Sequence, residues 1–417
     1  MKLTINSNRP LHLFEGYGIE MEYMIVQNDT LDILPLADKL LEKVAGKIVN
    51  EISRDGLAWS NELALHVIEV KSDGPATQLA GAGEIFQNEI EAMESVLKSF
   101  NARLMPGAMH PWMDPFTEVK LWPHEYNPIY EAYNRIFDCR GHGWANLQST
   151  HLNLPFFGDA EFEKLHAALR LILPLIPAIA ASSPIADSEK KGWLDYRMEA
   201  YRTNSLKIPS ITGKIVPERV FNEADYREKI FEWMYRDIAP YDPEGILQDE
   251  WLNSRGAMSR WDRNAIEVRV IDLQELPAAD IAILEWVVNL AKFLTDEKTC
   301  SLQDQKEWHE DELYDLLMSV IRDGEKTVFH NRDFLEVFGL KKMSATAGEL
   351  TRHITDILAS DYSFDVTSLE LLNLIHEEGP LSRRILNALP ENFDKQDLAS
   401  VYTRLCDSLR NAAPFIP

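Results

Sequence analysis

The chain has 417 residues, 45% of them apolar and 26% charged, with a formal net charge of −25. This is ordinary globular composition, enough for one large domain or two smaller ones. The acidity argues against nucleic acid or an anionic membrane surface as partner, but not against a nucleotide carried on metal ions and a few arginines.

Alternation or β-branched enrichment predicts strands over Gly18–Val26, Ala64–Lys71, Thr150–Leu154 and Ala265–Ile271. Between them, helical spacing predicts Leu36–Val44, Glu84–Phe100, Glu161–Ala181 (bent at Pro174 and Pro177), Asp225–Ile238 and Ala278–Leu294, the last opened by Pro277. From about residue 303 the pattern is helical. Thr346–Glu349 and Thr367–Glu370 fit the capping box, and Leu371, Leu372, Ile375, Val401, Leu405 and Leu409 supply apolar faces. The expected organisation is an α+β unit over residues 1–298 and a helical subdomain over 299–417. Cys139, Cys300 and Cys406 form no Cys-x-x-Cys pair, so neither a disulfide framework nor a zinc cluster is expected. Met1–Ser7 has no apolar signal core, and the longest apolar run, Leu171–Ala181, is too short to cross a bilayer. A cytoplasmic protein is expected.

Glu20 and Glu22 alternate with Ile19, Met21 and Tyr23, so a strand turns both carboxylates to one face and the apolar set to the other. The two acids would stand ~6.6 Å apart and repel by roughly 2.5 kcal/mol at an effective dielectric of ~20, a placement that a cation relieves. Glu267 and Arg269 repeat the spacing with a carboxylate and a guanidinium, which suits divalent metal and phosphate. Ser149, His151 and Asn153 share one face of another strand. Glu62 and Glu69 are seven residues apart, so a bulge or an end-of-strand loop must intervene for both to reach one site. Plainer readings exist for each: Glu-x-Glu on a solvated face, His66 in the core or at an edge, His142 in a loop, and Trp59, Trp144 and Trp193 as packing. Five carboxylates and one histidine on four strand segments favour a common site. No phosphate-binding Gly-rich loop, dinucleotide fingerprint, His-Glu-x-x-His, Gly-x-Ser-x-Gly or kinase motif occurs, so metal ions would have to hold the phosphates of any nucleotide.

Taken together, these segments resemble the second glutamate–cysteine ligase family, ATP-dependent carboxylate–amine ligases similar to glutamine synthetase in their catalytic domain. Gly18-Ile19-Glu20-Met21-Glu22-Tyr23 is similar to the family's opening Gly-x-Glu-x-Glu strand, and Glu62 through Glu69 to its second acidic strand. Ser149-Thr150-His151-Leu152-Asn153 resembles its Gly-Thr-His-Val-His strand, departing at Ser149 and Asn153. Ala181-Ser182-Ser183-Pro184 with Tyr196-Arg197 resembles its substrate loop, and Ile266-Glu267-Val268-Arg269-Val270-Ile271-Asp272 is the segment that matches best. The resemblance spans about residues 12–298 and leaves the C-terminal helices unassigned.

The resemblance implies an α+β fold: an antiparallel curved sheet of glutamine synthetase type with helices on its outer face, plus an all-helical C-terminal region. It implies one metal site from Glu22, Glu62 and Glu69 and another from Glu20, His151 and Glu267, for two or three Mg²⁺ or Mn²⁺ ions. Arg269 would contact the transferring phosphoryl group, with Arg263 as helper. Arg197 would hold a substrate carboxylate, and Ser182 and Ser183 would line that pocket. ATP would activate a carboxylate, by family the γ-carboxylate of glutamate, as an acyl phosphate, and cysteine or another amine would take it, a step of glutathione biosynthesis. The implied partners are small-molecule substrates, with no nucleic acid, no membrane, and homo-oligomerisation left open. The rival readings are a guanidino-kinase-like phosphotransferase and a non-catalytic nucleotide- or metal-binding protein.

Overall fold

The structure, a computed structural model, describes residues 9–417; Met1–Ser7 lies outside them. One antiparallel sheet positions everything else. Its strands are β1 (Gly18–Gln27), β2 (Glu51–Arg54), β3 (Leu57–Asn61), β4 (Val67–Ser72), β5 (Ala102–Met105) and β6 (Ser149–Pro155). A small hairpin of β7 (Ile185–Ala186) and β8 (Glu189–Lys190) stands apart, and β9 (Ala257–Arg260) and β10 (Ala265–Asp272) complete the large sheet. The order is β2-β3-β4-β1-β6-β10-β9, with β5 pairing the far end of β1. The α+β expectation and the antiparallel sheet both hold. Three of the predicted strands match closely; the fourth begins at Val67 rather than Ala64, because Glu62–His66 is the connection from β3. Strands β2, β3, β5 and β9 have only four or five residues each, too few for alternation to stand out.

Period-two alternation in β1 divides the molecule. Ile19, Met21 and Tyr23 are fully buried and join one apolar core with Ile68, Val70, Leu152, Leu154, Ile266 and Val268. The helices Ala82–Leu97, Gly158–Ile172 and Pro277–Thr295 share that core. The last of these is buried on all sides from Ile281 to Leu290, as a helix sandwiched between sheet and outer helices must be. The bend predicted near Pro174 is present as a short 3₁₀ segment, Leu173–Leu175, before Pro177–Ala180.

The C-terminal region runs as helices Leu302–Glu307, Glu310–Asp323, Arg332–Val337, Ala347–Asp361, Val366–Glu378, Leu381–Ala388 and Lys395–Asn411. It is not all-helical: Val328–Phe329 pairs with Ala345–Thr346. Of the two expected capping boxes, Thr346 with Glu349 is formed, whereas the second helix is capped by Asp365, one residue before Val366. The region builds no separate interior. Leu313, Leu350, Ile354 and Leu372 belong to the sheet's own core, and a second cluster joins Met24, Val26 and Met105 to Leu381, Leu398, Tyr402 and Leu405. Arg384 and Glu275, both about 1% exposed, pair at 2.5 Å, and Arg384 also donates to the Phe415 carbonyl at 2.8 Å. Residues on both sides of 298 thus share one apolar core. Among the described residues no helix is long and apolar enough to cross a membrane.

Gly18 is fixed by close approach. A Cβ there would meet the Asn153 Cβ at 2.7 Å across the β1–β6 ladder. Gly18→Ala is therefore expected to lower unfolding stability by about 1–3 kcal/mol, read as a lower urea midpoint; an unchanged midpoint would show that β6 yields there without cost.

Candidate active site

The face of the sheet opposite the core gathers the acidic residues. Pairing sets Glu20 of β1 beside His151 of β6 and Lys71 of β4, and sets Glu22 beside Glu69 of β4. Glu267 of β10 lies across from Asn153 of β6. Glu62 comes in from the β3–β4 connection, so the end-of-strand loop that its spacing requires is present. Register shifts between Val268 and Ile271, and this bulge carries Arg269. All six predicted metal ligands line one cavity of about 640 Å³, together with Arg197, Arg263 and Arg269.

Two groups of ligands can be told apart by their surroundings. His151 Nδ1 lies 3.0 Å from Glu20 Oε2 and 3.8 Å from Glu267 Oε1, and the three side chains can bring one donor atom each within 4.8 Å of one another. Burial works against a charge on the His151 ring, but the bonded Glu20, with Glu22 and Glu267 nearby, raises it to about 9. Burial likewise disfavours the Glu20 carboxylate, yet the His151 bond holds it at about 2. The imidazolium proton therefore stands where a cation would be expected. Asn153 Nδ2 adds a bond to Glu20 Oε1 at 3.0 Å.

The second group is less compensated. Burial, then Glu22 and Glu69, pushes the Glu62 carboxyl well above the ordinary range. Burial and Glu20 push Glu69 to about 7, although Ser60 Oγ donates to it at 2.5 Å and Lys71 Nζ lies 3.0 Å away. Glu22 accepts from the Ser149 backbone N–H at 2.7 Å and its hydroxyl at 3.0 Å. Hard oxygen donors, one imidazole and two carboxyls with unbalanced charge fit divalent Mg²⁺ or Mn²⁺.

Among the cations, Arg269 Nε lies 2.7 Å from Glu267 Oε1. Arg197 is 1% exposed; its Nε donates to Asp272 Oδ1, and its terminal nitrogens reach the Arg269 carbonyl at 3.3 and 3.4 Å. A guanidinium has five N–H donors, so Arg197 keeps some for a ligand. Arg263 is more than half exposed, with Nε 3.8 Å from Asp262 Oδ2.

Ser182 and Ser183 depart from expectation, since neither lines the cavity. Both are 1% exposed. The Ser182 N–H and Ser183 Oγ each donate to Asp272 Oδ2 at 2.8 Å, and Ser182 Oγ donates to the Leu273 carbonyl. They hold the aspartate that holds Arg197. Both hydroxyls are used up within the buried turn, that of Ser182 on the Leu273 carbonyl and that of Ser183 on Asp272. Sequence reasoning also missed Lys71 and Arg260, which line the cavity. Lys71 was within reach, two residues beyond Glu69 on one strand face; Arg260, bidentate to Asp262 at 3.0 and 2.8 Å, sits on the unrecognised β9.

Residues 17–403 match the family profile of glutamate-cysteine ligase family 2. The chain belongs to this family. An uncharacterized protein of Archaeoglobus fulgidus is 31% identical over 94% of this chain and 96% of its own length. A Corynebacterium glutamicum protein provisionally named glutamate–cysteine ligase 2 is 25% identical over 70% of this chain and 71% of its own. Among solved structures, a chain of the complex between the prokaryotic ubiquitin-like protein Pup and its ligase PafA aligns with a TM-score of 0.42 and 13% identity. That alignment covers 96% of this family 2 member and 65% of the other chain.

Burial and neighbouring carboxylates raise Glu62 and push Glu69 up to about 7, so protons compete with a divalent ion for these two carboxyls. Protonation below a raised pKa competes with metal, so Mn²⁺ affinity is expected to rise from pH 6 to pH 8, by up to about tenfold per unit for each proton displaced. Calorimetry in buffers of different ionisation enthalpy measures that release; affinity independent of pH would contradict the assignment.

Proposed function

We propose that this protein is an ATP-dependent carboxylate–amine ligase, which activates an acid as an acyl phosphate and joins it to an amine. The observation that carries the reading is the arrival of five glutamates, one histidine and Arg269 in a single cavity from four strands and a loop. Membership of glutamate-cysteine ligase family 2 supports it. Glu20, His151 and Glu267 would hold one divalent ion, and Glu22, Glu62 and Glu69 another. Such ions, when bound, neutralise phosphate charge and let an anionic nucleophile approach it.

The remaining residues divide the work. Arg269, fixed against Glu267, adds positive charge where the phosphoryl group passes. Arg263 stands at the exposed edge of the cavity as a second cation. Arg197, anchored on Asp272, holds one carboxylate of the acid and so orients the other. That free carboxylate attacks the γ-phosphorus of ATP; the bond to the β-phosphate oxygen breaks and ADP leaves. The amine nitrogen then attacks the acyl carbon and loses a proton as phosphate departs, leaving an amide. Glutamate, through its γ-carboxylate, and cysteine are the acid and amine that the family name suggests.

Incubation with ATP, Mg²⁺, glutamate and a panel of amines, with products identified by mass, tests the reading. An amide with equimolar ADP and phosphate is expected; a phosphorylated guanidine with no free phosphate would replace the ligase by a kinase. Glu267→Gln should cut ATP turnover by about 100-fold or more with the fold intact by circular dichroism; full activity would remove Glu267 from the site. Arg197→Ala should raise KM for the acid more than for ATP, and an unchanged acid KM would refute its role.

A further inference from the structure

The same cavity has an aromatic wall that phosphoryl transfer does not need. Tyr130 and Tyr133 of the Asn127–Phe137 helix, Trp144, Tyr201 and Trp251 all line it. The Tyr133 ring lies 5.2 Å from Trp144 and 5.9 Å from Trp251, both tilted, and Phe137 stacks behind Trp144 at 5.5 Å. The wall is tied to the helix that carries Arg197. A Cβ at Gly143 would meet the Ala200 carbonyl at 2.6 Å, and Trp144 Nε1 donates to the Asn204 carbonyl at 3.2 Å. Tyr133 and Tyr201 line the same cavity as Arg269.

Several polar tips of the wall are already engaged. Tyr201 Oη donates to the Ser254 carbonyl at 2.9 Å, and Tyr130 Oη accepts from Asn61 Nδ2 at 3.1 Å. What these residues offer a ligand is ring surface. Room for the nucleotide exists elsewhere: a cavity of about 630 Å³ lies past the start of β1, lined by Gly16, Gly18, Ser72 and Ala265, and shares Glu20, Lys71 and Arg263 with the first. The acid is claimed by Arg197. The substrate left to meet the wall is the amine.

Building on the ligase reading above, we propose that the wall formed by Tyr133, Trp144 and Trp251 binds the side chain of the amine, and that this amine carries an aromatic ring. A ligand ring extends the tilted cluster at the spacing aromatic pairs prefer. The short thiol side chain of cysteine leaves most of that surface wet. The wall adds binding for the amine alone, since ATP and the acid lie on other residues.

The test compares amines against hydroxylamine, which has no side chain and traps the activated acid as a hydroxamate. With ATP, Mg²⁺ and glutamate, kcat/KM for phenethylamine or phenylalanine is expected to exceed that for cysteine or glycine at least tenfold. In Tyr133→Ala and Trp251→Ala, the ratio of kcat/KM for the aromatic amine to that for hydroxylamine should fall about 10–100-fold, mainly through KM. Tyr133→Phe, which keeps the ring, should preserve the ratio. Preference of the wild type for cysteine or glycine overturns the proposal, as does an unchanged ratio in both alanine variants. A rise confined to the KM for ATP gives the wall to the adenine instead. No hydroxamate from the wild type overturns the ligase reading and this proposal with it, whereas hydroxamate without aromatic preference overturns this proposal alone.

Discussion

Carboxylates that repel one another, held together on one sheet face, are the constraint around which the molecule is arranged. At about 4 Å a like-charged pair costs roughly 4 kcal/mol at an effective dielectric near 20, a large share of the stability of an ordinary domain. The protein spreads this cost over a proton on His151, the Lys71 ammonium and the Arg269 guanidinium. It leaves Glu62 and Glu69 incompletely balanced. Divalent cations would balance the carboxylates that the protein's own charges do not.

The rest of the chain holds that face in place. The apolar side of β1, β4, β6 and β10 is sealed by helices, and the C-terminal helices close over those in turn within the same core. Register does the positioning: the pairings that set Glu20 beside His151 and Glu22 beside Glu69 are backbone contacts, so the ligands move only if the sheet slips. Beneath the cavity, Ser182 and Ser183 hold Asp272 and Asp272 holds Arg197, a chain of buried hydrogen bonds that gives a flexible side chain one orientation.

Much of the site was legible in the sequence because strands write their faces every second residue. Glu20, Glu22, His151 and Glu267 could be read that way, and the loop placing Glu62 followed from a spacing that a regular strand could not satisfy. The serine pair was misplaced because a motif marks proximity to a substrate loop without saying which way a hydroxyl points; here the Ser182 hydroxyl turns to the Leu273 carbonyl and the Ser183 hydroxyl to Asp272. Arg260 was hidden by a four-residue strand. Trp144, read as packing, does pack against Tyr133 and Phe137, and it also lines the cavity, which nothing local in a one-turn helix marks. The second capping box failed for a similar reason, since Asp365 offered a carboxylate cap ahead of Thr367.

The central claim is that these side chains share divalent ions. Diffraction from crystals soaked in Mn²⁺ and a non-hydrolysable ATP analogue, recorded at the manganese absorption edge, tests it most directly. The account predicts anomalous peaks among Glu20, His151 and Glu267 and among Glu22, Glu62 and Glu69. Nucleotide bound with no peak at either group, or with manganese held elsewhere, would contradict it.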